Sequence, residues 1–263
     1  MVGGKIYVAG GLLADGSATA RVEAYDPATG RWFGAPSLPI ALHHPMAAGF
    51  RGRLYVLGGI TQRLGGADSA RVFFLDGDKW KEAPSLKRPR GAGAAVVVGD
   101  RIVVVGGING SNEVGPAEIF DGTAWHDGAS IPSGLDHVAA ATDGKLVYVA
   151  GGRRGGKHFA DFQVYDPAAD SWRRAKNMPT ARSGLGAAFV DGSVVTAGGE
   201  GPRMFPEVES YDVVDDTWSR LPNMPTALHG VGVVAVGKTV YAMLGGHEVG
   251  LAPSSVCEAL TLS

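Results

Sequence analysis

Six of the seven histidines fall in short polar stretches: His43, His44, His137, His158, His229 and His247. The same stretches carry Asn109, Asp136, Arg153, Arg154, Glu200, Arg203 and Glu248. Imidazoles in such a set could ligate a transition metal or titrate near neutral pH. Carboxylates beside His and Arg could move protons on a polar substrate. A mixed-charge group could also simply bind a polar ligand or a protein segment. The metal reading has little spacing behind it. Only His43 and His44 are close, and adjacent side chains are expected to point apart. No nucleophile motif supports the catalytic reading: Gly-x-Ser-x-Gly and His-Glu-x-x-His are absent. Cys257 is the only cysteine, so there is no disulfide framework, and it reads as a small buried hydrophobe. No catalytic residue, metal or cofactor is therefore assigned. The ligand-binding set is His44, Asn109, Asp136, His137, Arg153, Glu200, Arg203, His229, His247 and Glu248.

These residues sit at fixed places in a repeat. Gly-Gly pairs occur at 10–11, 58–59, 106–107, 151–152, 198–199 and 245–246, in steps of 48, 48, 45, 47 and 47 residues. A period in this range marks a repeat architecture. Each pair closes an apolar run: IYVAGG, LYVLGG, IVVVGG, VYVAGG, VVTAGG, YAMLGG. A second family of runs ends in Asp: VEAYD, VFFLD, AEIFD, FQVYD and VESYD. A tryptophan follows each of these, at 32, 80, 125, 172 and 218. A third family is small-sided: 46–50, 92–98, 138–142, 184–190 and 230–236. Crowding of neighbouring strands around a central axis explains why only Ala, Gly and Val suit these runs. The unit is thus four strands, and the array is a β-propeller. The site candidates fall in two loop sets at one end of its channel. One set follows the Gly-Gly pairs. The other leads from each Trp strand into the next small strand, and aligns His44, Ala92, His137, Gly184 and Gly230 at one equivalent position. Such loops on a rigid scaffold are where function concentrates.

Small first strand, second strand ending in Gly-Gly, third strand ending in Tyr/Phe-Asp, then Trp: this unit resembles the Kelch repeat, over essentially the whole chain. The resemblance implies an all-β, six-bladed Kelch-type propeller with four antiparallel strands per blade, forming one domain over 1–263. It also implies a protein partner or small polar ligand at the channel mouth. In Kelch domains that bind acidic peptides, arginines fill several mouth positions; here histidine or small residues stand there, which weighs against that ligand. Some Kelch-like propellers are enzymes. The copper oxidases need a Tyr-Cys cross-link, which Cys257 is badly placed to give. A sialic-acid mutarotase- or lyase-like enzyme, using Glu200, Arg203, Asp136 and His137, is the alternative to a non-catalytic binding module that senses or scaffolds.

Composition narrows the partners. Lys plus Arg number 24 against 26 acidic residues, a balance without the basic footprint of nucleic-acid binding. No run of 18 apolar residues exists, so direct membrane insertion by a helix is not expected. Richness in Ala, Gly and Arg hints at a GC-rich bacterial genome, and the compartment stays open. The strand families do not tally. Second and third strands occur six times, the sixth third strand being Val256–Leu260, whereas first strands and Trp strands occur five times. The expectation is a piece of a longer protein, joined to the rest of a larger parent. A ring whose first and last blades have three strands is the alternative.

Overall fold

The small-sided runs lie at the axis. In the computed structural model, which describes residues 1–262, the innermost strands are Met46–Phe50, Ala94–Val98, Ala139–Thr142, Gly186–Val190 and Gly232–Val236. Each lies against the next around the channel. From each, the chain meanders outward through antiparallel neighbours. In blade 3 the order is Ala94–Val98, Arg101–Val105, Pro116–Phe120 and Trp125–Ser130. Blades 2 to 5 each have four such strands. Second strands are sandwiched between neighbouring blades, so both of their faces are buried and alternation is lost. Ile102, Val103, Val104 and Val105 are all almost fully buried. The core is accordingly a series of packets between blades; Phe50, Tyr55 and Leu57 pack on Ile102, Val104, Phe120 and Trp125.

Two hydrogen-bonding devices tie blade to blade. The amide of the second glycine in a pair donates to a carbonyl of the next blade: Gly11 to Leu42, Gly59 to Arg90, Gly107 to Leu135, Gly152 to Arg182 and Gly199 to Leu228, at 2.7–3.1 Å. The first glycine of the pair has to be glycine for a steric reason. Gly58 has φ +60°, and a Cβ there would sit on the Arg90 carbonyl oxygen. Further out, the tryptophan indole N–H reaches back to the preceding blade. Trp80 donates to Pro36, Trp125 to Pro84, Trp172 to Ala129 and Trp218 to Lys176, all at 2.7–2.9 Å.

The first and last blades have three strands each. Blade 1 consists of Ile6–Ala9, Val22–Asp26 and Arg31–Ala35, and lacks an inner strand. Blade 6 consists of Gly232–Val236, Thr239–Met243 and Cys257–Thr261, and lacks an outer strand. Its third strand starts one residue beyond the expected Val256. The two incomplete blades still meet, with the Tyr25 and Tyr241 rings 5.8 Å apart.

The steric role of the pair can be separated from its backbone angle. Gly3 also has positive φ, but a Cβ there meets nothing within 4 Å. Gly3→Ala should cost about 1–2 kcal/mol, the left-handed penalty alone. Gly58→Ala should cost clearly more, lowering Tm by roughly 10 °C. Equal thermal shifts for the two variants would show that contact with blade 3 is not the constraint.

Candidate functional site

The channel mouth is built from short backbone ladders, one per blade. The residue after a Gly-Gly pair bridges to a residue in the connection entering the same blade: Ile60 to His43, Ile108 to Gly91, Arg153 to Asp136 and Glu200 to Ser183. One residue later the connection turns into the inner strand through a left-handed position. His44 (φ 51°), Ala92 (54°), His137 (52°), Gly184 (61°) and Gly230 (57°) all adopt it. These are the five positions that the sequence aligns. They also bond in series, because the amides of Ala92, His137, Gly184 and Gly230 donate to the carbonyls of His44, Ala92, His137 and Gly184, respectively, at 2.7–3.0 Å. Two left-handed histidines are uncommon; this ring of backbone bonds holds them there.

The ladders bring six of the ten predicted site residues together. Asp136 Oδ1 pairs with His137 Nδ1 and accepts from Arg153 Nε at 3.1 Å. The Arg153 guanidinium also lies 3.1 Å from His137 Nε2 and donates to Glu200 Oε1 at 2.9 Å. Glu200 Oε2 lies 3.4 Å from His229 Nδ1. At the other end, the His44 ring packs edge-on against His137, with centroids 4.9 Å apart. Asp136, His137, Glu200 and His229 are largely buried, while the Arg153 side chain stays about one-third exposed. A line of polar groups thus crosses the mouth from His44 to His229, with Arg153 shared between two carboxylates at its centre.

The other four predicted residues stand apart. Asn109 is exposed at the end of the short strand Ile108–Asn109, and Glu248 is exposed on a loop, with its carbonyl 3.1 Å from His229 Nε2. Arg203 turns outward to pair with Glu207. His247 is exposed because blade 6 shifts register: His229 bridges to Gly246, not to the residue after the pair. The expectation that His43 and His44 point apart is corrected. The left-handed turn at His44 folds its ring back, leaving the two Nδ1 atoms 2.6 Å apart. His158, which was not in the set, belongs near it, with Nδ1 3.0 Å from the buried Ser183 hydroxyl. The connections also hide two arginines. Arg90 and Arg182 are fully buried and paired with the buried Glu118 (2.6 Å) and Glu209 (2.9 Å). They stiffen the loops beneath the mouth rather than line it.

Among the described residues, no group of three or more His, Cys, Asp or Glu side chains is arranged to hold a metal ion. A recess of about 910 Å³ opens at the opposite end of the propeller, lined by Asp100, Asp121, Asp143 and Asp166. Its carboxylates have structural partners. Asp100 holds Arg51, Asp121 caps Thr123 and Ala124, Asp143 caps Lys145 and Leu146, and Asp166 caps Ala168. The mouth is the better site, because its charged groups converge from different blades.

Comparison with known proteins agrees with the repeat. A family model described as "Kelch motif" matches residues 1–39, 136–179 and 181–225. The chain is 30% identical over 203 residues to human Kelch-like protein 34, covering 75% of this chain and 24% of that protein. It is 34% identical over 115 residues to Alpha-scruin of Limulus polyphemus, covering 41% and 12%. It thus spans about a quarter or less of these relatives. The solved "Structure of YjhT" superposes with a TM-score of 0.85 over 100% of this chain and 93% of that one, at 14% identity, a likeness of fold.

Burial holds the His44 imidazole well below the usual histidine range, and the neighbouring His137 lowers it further. Burial also lowers His43 and His158. A depressed folded value means that the unfolded chain takes up protons first as pH falls. Stability is then lost below the ordinary histidine value near 6.5, with a slope of at most about 1.4 kcal/mol per pH unit per group. Urea unfolding at pH 7.5 and 5.5 should show this loss. His44→Asn, which tolerates the left-handed backbone, should lose less on acidification than the wild-type chain. Identical losses would remove His44 as a contributor.

Proposed function

Because the chain belongs to the Kelch-repeat β-propellers, we propose that it is a non-catalytic protein-binding module whose contact face is the channel mouth centred on Asp136, His137, Arg153, Glu200 and His229. The observation that carries this reading is the shared Arg153. Its guanidinium is anchored by two carboxylates from different ladders yet remains partly open to solvent. Side chains locked in this way lose little freedom on binding, which favours recognition. Two carboxylates, Asp136 and Glu200, stand against the one guanidinium of Arg153, an excess of one acidic side chain at the centre. That balance suits a partner segment presenting a basic residue among polar ones, rather than an acidic peptide. A sensing or scaffolding role would follow from such a contact.

The carbohydrate-enzyme alternative has less support. The Asp136–His137 pair has the form of an acid–base dyad, but a working base needs its far nitrogen free for substrate. Here His137 Nε2 already faces Arg153 at 3.1 Å.

A photo-crosslinking residue at Arg154, exposed beside the cluster, tests the contact face. The same probe at Val214, 87% exposed on an outer hairpin, serves as control. A discrete protein adduct should form from position 154 and not from 214. Glu200→Lys, which reverses the charge of the centre, should reduce its yield by about tenfold or more. Equal adducts from both positions, or indifference to Glu200→Lys, would reject the mouth as the contact face.

A further inference from the structure

Glu200 holds an acceptor that the mouth does not use. Its Oε1 accepts from Arg153, whereas Oε2 accepts no hydrogen bond among the described residues. Oε2 is not one of the side-chain atoms buried without a partner, so solvent reaches it. The titratable atom beside it is His229 Nδ1, at 3.4 Å. The other ring nitrogen of His229 determines what Nδ1 can do. Nε2 lies 3.1 Å from the Glu248 carbonyl oxygen, which can only accept. The ring proton of a neutral imidazole therefore sits on Nε2, and Nδ1 presents a lone pair. Two lone pairs then face each other, and Oε2 stays open. A second proton turns Nδ1 into a donor aimed at Oε2, and the contact becomes a charge-assisted bond.

No other histidine of the mouth is placed this way. His137 already gives its Nδ1–H to Asp136, and its Nε2 faces Arg153, where a second proton would set two donors against each other. Asp136 also keeps Oδ2 unbonded, but with His137 already donating to Oδ1, no proton opens or closes it. His43 and His44 face each other through Nδ1, and His158 faces the Ser183 hydroxyl. Around His229 itself the charged and titratable neighbours are Glu200, with Arg153 beyond it on Oε1, and His44 across the mouth. The side chains of His247 and Glu248, on the next loop, are exposed.

We infer that His229 is a proton-operated gate on Glu200 Oε2, and that this oxygen is the acceptor for a lysine-type ammonium of the partner. The inference rests on the reading of the mouth as a contact face for a basic residue. With His229 neutral, Oε2 is free to accept from an ammonium, a compact cation with three donors. With His229 protonated, the imidazolium takes that oxygen and cancels the acidic excess of Asp136 and Glu200 over Arg153. A second cation is then repelled. Histidine changes charge between pH 5 and 8, so the contact holds at the upper end of that range and is lost towards the lower. A ligand that binds only the neutral form must, by linkage, drive the proton off.

The probe is a capped Gly-Ser-Lys-Ser-Gly peptide, titrated into the whole chain and followed by the backbone amide NMR shifts of Glu200 and His229. At pH 7.5 the shifts should saturate, and the same peptide with Gln in place of Lys should leave them unchanged. At pH 5.5 the Kd should rise by about fivefold or more. His229→Gln cannot take up the charge, and should bring the two Kd values within about twofold of each other. His229→Asn serves if that variant fails to fold. Glu200→Gln should abolish binding at both pH values. Lack of saturation at pH 7.5, equal binding of the Gln peptide, a Kd unchanged by pH, or a pH dependence that survives His229→Gln would each overturn the gate. A flat Kd together with the adduct from position 154 removes the gate and leaves the contact face. A gated peptide without that adduct does the reverse.

Discussion

Five carbonyls, those of Leu42, Arg90, Leu135, Arg182 and Leu228, each accept an amide from the second glycine of the blade before. The rest of the molecule depends on this contact. It works only if the backbones of two blades approach within hydrogen-bonding distance, and a side chain at the first glycine would occupy the space that the carbonyl needs. The contact also sets the next residue in the chain. After the accepting carbonyl comes His43, Gly91, Asp136, Ser183 or His229, and after that the left-handed turn. The blade-to-blade bond therefore places the mouth residues directly. That is why charged groups from three blades can meet within hydrogen-bonding distance although they are dozens of residues apart in sequence.

Electrostatics at the mouth are internally compensated. Arg153 faces two carboxylates, and the imidazoles fill the spaces between them. Beneath the surface, two connections carry buried Arg–Glu pairs where the others carry Leu42, Leu135 and Leu228. A buried ion pair often gives little net stability over well-packed apolar residues, because desolvation opposes the Coulomb attraction. Burial does lower both arginines, with the paired glutamates acting against it. What each pair adds is direction. Arg90 also donates to the Gly106 and Pro116 carbonyls, so the connection cannot rotate without stranding several bonds.

Most of the architecture was legible in the sequence, because it rests on backbone constraints that restrict residue type. The axis tolerates only small side chains, and the Gly-Gly contact tolerates no Cβ. The position shared by His44, Ala92, His137, Gly184 and Gly230 could be aligned for the same reason: it is set by distance from the glycine pair. Side-chain direction was not legible. Whether His43 and His44 diverge depends on the φ of His44, which no residue type announces. Arg203 carries the same charge as Arg153 but lies three residues further along its loop, and Glu207 is near enough to take it away from the mouth. His247 follows its glycine pair as Arg153 and Glu200 follow theirs, yet the Gly246 amide bonds to His229 in its own blade instead of reaching a connection of blade 1. His158 comes from the far side of a hairpin, and only the closure of that hairpin onto Ser183 shows its position.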